Sequence, residues 1–383
     1  MQVSSAVAAA RLRGTLIAMK PRRILLHAGR VKTGSTFLQA ALMEAALDAS
    51  GWLFPRSLLH IGRFQPRDRG VRLNGHAILS RLSVGMTFDT GLLNAFHTEA
   101  LARPGHSLIL SAEDLGRDPR DNRMQALGEI FEGFDVEIVM YLRRPSTWIN
   151  SVYIERITSG HGREFRSYDD LASDLFAAAR TAPFIAQLRQ WKTPPKLVFR
   201  NYDTAREADG GLLGDFARAF DLPRVEAPER VDINRSPDFA AARGIRVFNA
   251  LSRGVTGDVY EDLYGQLLDN LVTLEGEMRG SFLTEEQARE IDARWFAENR
   301  ALVDDGHMDE ADYAALIDGD EARILPDAVL EGQVMTMVCE HLARSGINGF
   351  QAAPTLSGIG KLFLRHGLAG LRRRSRMLLR GRV

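Results

Sequence analysis

Ile24-Leu25-Leu26-His27-Ala28-Gly29-Arg30-Val31-Lys32-Thr33-Gly34-Ser35-Thr36-Phe37-Leu38-Gln39 decides the fold of this chain. The apolar run from Ile24 to Leu26 reads as a buried strand, and Gly29 ends it. A Lys-Thr-Gly-Ser-Thr cluster then opens a helix-patterned stretch from about Ser35 to Leu47, so the segment predicts strand, tight loop and helix. Such a junction suits an anion. The first helical N–H groups lack intrahelical partners and the aligned peptide dipoles leave partial positive charge there, and a phosphate satisfies both. Gly29 and Gly34 allow a tight turn and close approach, Ser35 and Thr36 add hydroxyl donors, and Lys32 adds a full charge.

Residue order separates the families of anion loop. In G-x-x-x-x-G-K-[ST] the Lys follows the second Gly, whereas here Lys32 precedes Gly34, and no G-x-G-x-x-G marks a dinucleotide fold. A second segment carries further chemistry. Val136 to Leu142 is a strand by its β-branched and apolar content, and Arg143-Arg144-Pro145 ends it. Trp148, Ile149, Val152 and Ile157 then suggest an amphipathic helix with Ser151 in its first turns.

Lys32-Thr33-Gly34-Ser35-Thr36, with Leu38-Gln39 behind it, resembles the 5′-phosphosulfate loop of sulfotransferases that use 3′-phosphoadenosine 5′-phosphosulfate (PAPS). Arg143 and Ser151 stand in the spacing with which that family holds the 3′-phosphate. The resemblance covers roughly residues 22–240. It implies a P-loop-NTPase-like parallel sheet flanked by helices, and transfer of a sulfuryl group from PAPS to a hydroxyl or amine acceptor, with no metal. The implied co-substrate ligands are Arg30, Lys32, Thr33, Gly34, Ser35, Thr36, Arg143 and Ser151, with Arg200, Asn234 and Ser236 as weaker contacts. Lys32 would stabilise the leaving group, and Glu113, in Leu110-Ser111-Ala112-Glu113, resembles the carboxylate that some carbohydrate sulfotransferases use as base. His76, which precedes a helical pattern over 77–82, is the second candidate base, because an imidazole titrates in the useful range. The Glu113 resemblance favours a carbohydrate or glycolipid acceptor over other small molecules. Arg30-Val31, where many members have small or polar residues, and Ser35, where Thr is common, depart from the pattern.

Each of these residues also has an ordinary reading. Glu113 and Asp114 suit a cap or a surface ion pair, Arg143 and Arg144 suit solvated flanks of a helix with Pro at its first position, and Arg200 simply closes an apolar run. Two other functions stay open: a kinase-like nucleotide-binding P-loop protein, and a non-catalytic binder of PAPS or its desulfated product.

Length and composition agree with a soluble enzyme. Apolar runs at 23–28, 107–111, 136–142 and 196–200, separated by helix-length segments, predict a parallel sheet covered on both faces. Beyond about Asp238 the strand signals fade, and near-helical periodicity recurs at 240–252, 259–279, 284–303 and 327–344, with Thr284-Glu285-Glu286-Gln287 as a capping box. The expected layout is a basic N-terminal extension (1–21), a sulfotransferase-like core (22–240), a helical extension (241–350) and a basic C-terminal tail (351–383).

Charge bears on partners. The formal net charge is zero, which gives no global case for nucleic acid. Between Asp258 and Glu321 nineteen Asp and Glu face four Arg, so the cations concentrate elsewhere, at the two ends. The apolar and cationic mixture from Gly358 to Arg382 fits either an amphipathic helix touching anionic lipid or acidic glycan, or a solvated tail. A single cysteine, Cys339, excludes an intrachain disulfide or a cysteine metal cluster. That single cysteine leads to the expectation of a reducing, cytoplasmic setting, and with no run of eighteen apolar residues no membrane span is expected, with peripheral membrane contact through the tail as an option.

Overall fold

The structure, a computed structural model, describes residues 1–45, 47–59, 61–62, 72–73, 75–82, 87–116, 123–159, 162–223, 225, 239–253, 255, 257–272, 280–318, 334, 336–338 and 340–341. Nine strands occur among them: β1 (Gln2–Ser4), β2 (Ile24–Ala28), β3 (Trp52–Leu53), β4 (Ile61–Gly62), β5 (Arg72–Leu73), β6 (Thr87–Asp89), β7 (Ser107–Ala112), β8 (Val136–Leu142) and β9 (Lys196–Asn201). Five of them form a sheet in the order β3-β7-β2-β8-β9. All its pairings are parallel. The four apolar runs expected to be strands are all in it, and the two-residue edge strand β3 adds a fifth that the sequence pattern did not disclose. β1 pairs with β6, and β4 with β5, in small antiparallel ribbons.

The unbroken apolar runs have a simple cause. Every residue of β2, β7 and β8 is buried, because helices cover both faces of a parallel sheet. On one face Leu25, Ile109, Val139 and Tyr141 meet Leu38 and Leu42 of the helix Ser35–Glu44 and Leu213 and Phe216 of the helix Gly211–Ala219. The N-terminal segment, read from sequence as a basic extension, forms β1 and the helix Ser5–Met19, which packs on the helix Thr90–Leu101.

Topology places the site. From β2 the chain runs to β3 and β7 on one side, then crosses to β8 and β9 on the other, so the winding reverses at β2. In such sheets ligands bind beyond the carboxyl ends of the strands at that reversal. The loop after β2 is there.

The chain divides into two compact units: Met1–Glu155 with Arg166–Ser236 and Ser281–Arg323, and Arg156–Phe165 with Pro237–Gly280 and Ile324–Val383. The first holds the sheet. Residues 281–323, grouped from sequence with the helical extension, belong to it, and its helix Glu285–Asn299 starts with the expected capping box of Thr284 and Gln287. In the second unit the helices Phe239–Leu251 and Gly257–Val272 are joined by a buried link, Tyr260 Oη donating to Asn249 Oδ1 at 2.6 Å. Asn249 Nδ2 in turn donates to the carbonyls of Ile157 and Glu164, at 3.0 and 2.9 Å. Cys339, the C-terminal tail, and Asn234 and Ser236 lie outside the described residues.

Candidate functional site

The loop 29–34 leaves β2 under tight steric control. The Gly29 N–H donates to the Ala112 carbonyl at 3.0 Å, extending the β2–β7 ladder by one residue. A Cβ at Gly29 would lie 2.5 Å from Ser35 Oγ and 3.0 Å from Glu113 Cα, so only glycine permits this approach. Gly34 caps the helix Ser35–Glu44 at φ +75°, and a Cβ there would meet Leu212 Cδ2 at 2.4 Å. Lys32 also has a left-handed backbone, φ +66°. That conformation is unfavourable for a residue with a Cβ, and such strain concentrates at functional loops.

Side chains shape the loop from within. Thr33 Oγ1 and Ser35 Oγ donate to the Arg30 carbonyl at 2.8 and 3.0 Å. Those hydroxyls are therefore spent on the loop itself, and what it presents to an anion is the start of the helix, which no side chain caps, together with half-buried Thr36 and Lys32. Trp148 Nε1 donates to the Val31 carbonyl at 2.8 Å, tying the loop to the helix Pro145–Thr158.

Arg30 is placed differently from a phosphate ligand. It is buried, with its guanidinium donating to the carbonyls of Ala179 and Arg180 at 2.9 and 3.0 Å and lying 5.2 Å from the Trp148 ring centre. Those carbonyls end the helix Tyr168–Ala179, where a cation meets the negative end of the dipole. Burial lowers its pKa to about 10.

Strand register brings the second segment to the same edge. Leu142 pairs with Asn201, so Arg143 and Tyr202 emerge side by side beyond the sheet. Arg143 Nη1 donates to Ser151 Oγ at 3.2 Å, and its guanidinium lies 5.9 Å from the Tyr202 ring centre. Its Nε stands 3.4 Å from Asp203 Oδ1. One turn after Ser151 on the same helix face, Glu155 Oε1 stands 3.8 Å from Lys32 Nζ. The ring of Tyr202 also backs the loop 29–34: its Cε2 would lie 3.0 Å from a Cβ at Gly34. Glu155, Tyr202 and Asp203 were missed from sequence, although Asn201-Tyr202-Asp203 after a strand carried a signal, an Asn cap with an acid in the first helical turn. Asn201 Oδ1 indeed accepts from the Asp203 and Thr204 N–H groups at 2.9 and 3.3 Å.

Glu113 follows β7 directly, half-buried, with its Cα beside Gly29. His76 is also adjacent to β7 but has no nitrogen to spare: Nδ1 accepts from the Ser111 N–H at 2.8 Å and Nε2 donates to the Pro55 carbonyl at 2.9 Å. Burial drives its pKa to about 4, against the weaker upward pull of the Pro55 bond. His27 is likewise fully buried, Nδ1 2.9 Å from Ser111 Oγ, with a pKa lowered by burial to about 4. Arg200 gives both arms of its fork to Asp215, at 2.7 and 2.5 Å, and this hydrogen-bonded pairing raises its pKa. Among the described residues no three His, Cys, Asp or Glu side chains gather in a metal-holding group, and no helix is long and apolar enough to cross a membrane.

The structure thus brings Lys32, Arg143 and Ser151 to the strand-loop-helix junction after β2, with Glu113 beside Gly29, an arrangement whose helix start and cations can receive an anion. Compared with known protein families, curated proteins and solved structures, the chain has no significant match.

Proposed function

We propose that this chain is a PAPS-dependent sulfotransferase acting on a hydroxyl or amine acceptor, with carbohydrate the favoured class. Arg143 and Ser151 carry the proposal. A guanidinium fork and a hydroxyl 3.2 Å apart, near the loop that carries Lys32 into a helix start, would serve as a second anion subsite of the kind a 3′-phosphate requires and ATP does not. The donor set fits the co-substrate: helix N–H groups and Lys32 for the 5′-phosphosulfate, Arg143 and Ser151 for the 3′-phosphate, the Tyr202 ring between them.

Sulfuryl transfer, like phosphoryl transfer, runs in line through a loose transition state, so the protein chiefly positions and neutralises charge. The acceptor oxygen or nitrogen forms a bond to sulfur while the bond from sulfur to the bridging phosphate oxygen breaks, and the electron pair leaves with the nucleotide. Lys32 offsets the charge growing on that oxygen. Glu113 takes the acceptor proton. It is preferred over His76 because both imidazole nitrogens are already engaged.

The test is calorimetric titration with 3′-phosphoadenosine 5′-phosphate, AMP and ATP. Wild type should prefer the 3′-phosphorylated nucleotide, and Arg143→Ala should lose that preference by roughly tenfold or more, the worth of a charged hydrogen bond. Equal binding of all three nucleotides by wild type would remove the proposal.

A further inference from the structure

Both cations of the cleft face a carboxylate of their own. Lys32 Nζ lies 3.8 Å from Glu155, and Arg143 Nε lies 3.4 Å from Asp203. Neither carboxylate is buried like a core ion pair: the Glu155 and Asp203 side chains are 34 % and 36 % exposed, against 21 % for Lys32 and 20 % for Arg143. Each acid is thus more exposed than the base it pairs with. They also come from helices rather than from the strands of the sheet. Glu155 lies near the end of the helix Pro145–Thr158, and Asp203 in the first turn of the six-residue helix Tyr202–Glu207. Compare Arg200 with Asp215, where the carboxylate is 8 % exposed, both fork arms are used and Tyr141 adds a third bond at 2.8 Å. That pair is built to stay closed.

We propose that Glu155 and Asp203 are resident counter-anions, which hold Lys32 and Arg143 in the nucleotide-free protein and are displaced by the two phosphate groups of the nucleotide. The assignment of each acid to one phosphate rests on the sulfotransferase reading of the cleft. The physical consequence is a lowered affinity. A bound phosphate must first separate an ion pair, and the acid left beside it repels it, which shortens the residence of the spent nucleotide. Keeping both cations paired also keeps their side chains in the cleft while it is empty.

Position makes the effect selective. Removing the Glu155 charge relieves the 5′-phosphate subsite, whereas removing the Asp203 charge relieves only the 3′-phosphate subsite. Calorimetry on the full chain with AMP and with 3′-phosphoadenosine 5′-phosphate, using Glu155→Gln and Asp203→Asn, separates the two. Glu155→Gln should tighten both nucleotides and Asp203→Asn only the second, each by about two- to fivefold, the scale of a partly exposed ion pair. Unchanged or weaker binding in both variants, with the wild-type preference for the 3′-phosphorylated nucleotide intact, overturns the counter-anion role and leaves the sulfotransferase reading standing. Equal tightening of AMP and the 3′-phosphorylated nucleotide by Asp203→Asn overturns the assignment of that acid to one subsite. No binding of either nucleotide to wild type or variants overturns both.

Discussion

At the scale of single residues, the arginines near the cleft divide by what their forks touch. Arg143 faces a hydroxyl and a carboxylate at the sheet edge, Arg30 faces the carbonyls that end a helix, and Arg200 faces a buried carboxylate. Arg30→Ala should therefore lower stability by roughly 1–3 kcal/mol, the cost of leaving buried carbonyls unsatisfied, and denaturant melts measure it. An Arg30→Ala protein with unchanged stability and weakened nucleotide binding would instead make Arg30 a phosphate ligand. Lys32→Ala should behave differently, keeping the fold while reducing kcat with PAPS by roughly 10²–10³-fold, as when a preorganised donor to a leaving group is deleted. Near-normal turnover in that variant would end the leaving-group assignment.

At the scale of elements, the helix Pro145–Thr158 connects the loop 29–34, through Trp148, with Arg143, through Ser151, and its start is held from far away in the chain. Asp292 accepts from the Ser146 N–H and Oγ at 2.8 and 2.9 Å and from Arg144 Nε at 2.8 Å. Asp292 is buried, so the carboxylate acts both as helix cap and as ion-pair partner. Arg144, a solvated charge in one sequence reading, is part of this anchor. Asp292→Ala should cost roughly 2–3 kcal/mol, since a cap and a charged hydrogen bond go together. Because Trp148 and Ser151 ride on the same helix, nucleotide affinity should fall with it, which thermal melts and calorimetry on the same sample would show. A stable variant with normal affinity would mean that the helix is positioned by its apolar face alone.

At the scale of the whole molecule, two neutral imidazoles lie in the core behind the cleft. His27 and His76 both have pKa values lowered by burial from 6.5 to about 4. The unfolded chain binds protons at these residues before the folded one does. Stability is therefore intact above about pH 6.5 and falls as pH drops toward 4, by roughly 1.4 kcal/mol per pH unit for each histidine. Urea unfolding between pH 7.5 and 4.5 should show that decline, and a flat profile across this window would contradict the burial of both rings. Ser111 ties the two together, since its hydroxyl lies 2.9 Å from His27 Nδ1 and its N–H donates to His76. Acid weakening should thus begin at the carboxyl ends of β2 and β7, beside the loop 29–34.

Sequence alone determined the strand-loop-helix junction at 24–39, four of the five sheet strands and the capping box at Thr284, because each depends on neighbours along the chain: apolar runs, glycine placement and the reach of a cap. It also put Arg143 and Ser151 in reach of each other, eight residues apart across a strand end. Tertiary structure decided the rest. β3 is two residues long, too short for any periodicity to reveal, and exists because β7 offers it a parallel edge. Whether an arginine is ligand or strut depends on whether it meets open cleft, helix carbonyls or a buried acid, and those partners lie up to 150 residues away. His76 shows the same limit: an imidazole that reads as a possible base becomes a structural cross-link once Pro55 and Ser111 occupy its nitrogens. Glu155 and Asp203 come to the cleft only through the register of β8 with β9 and the packing of one helix beside the loop, long-range geometry that no local pattern encodes.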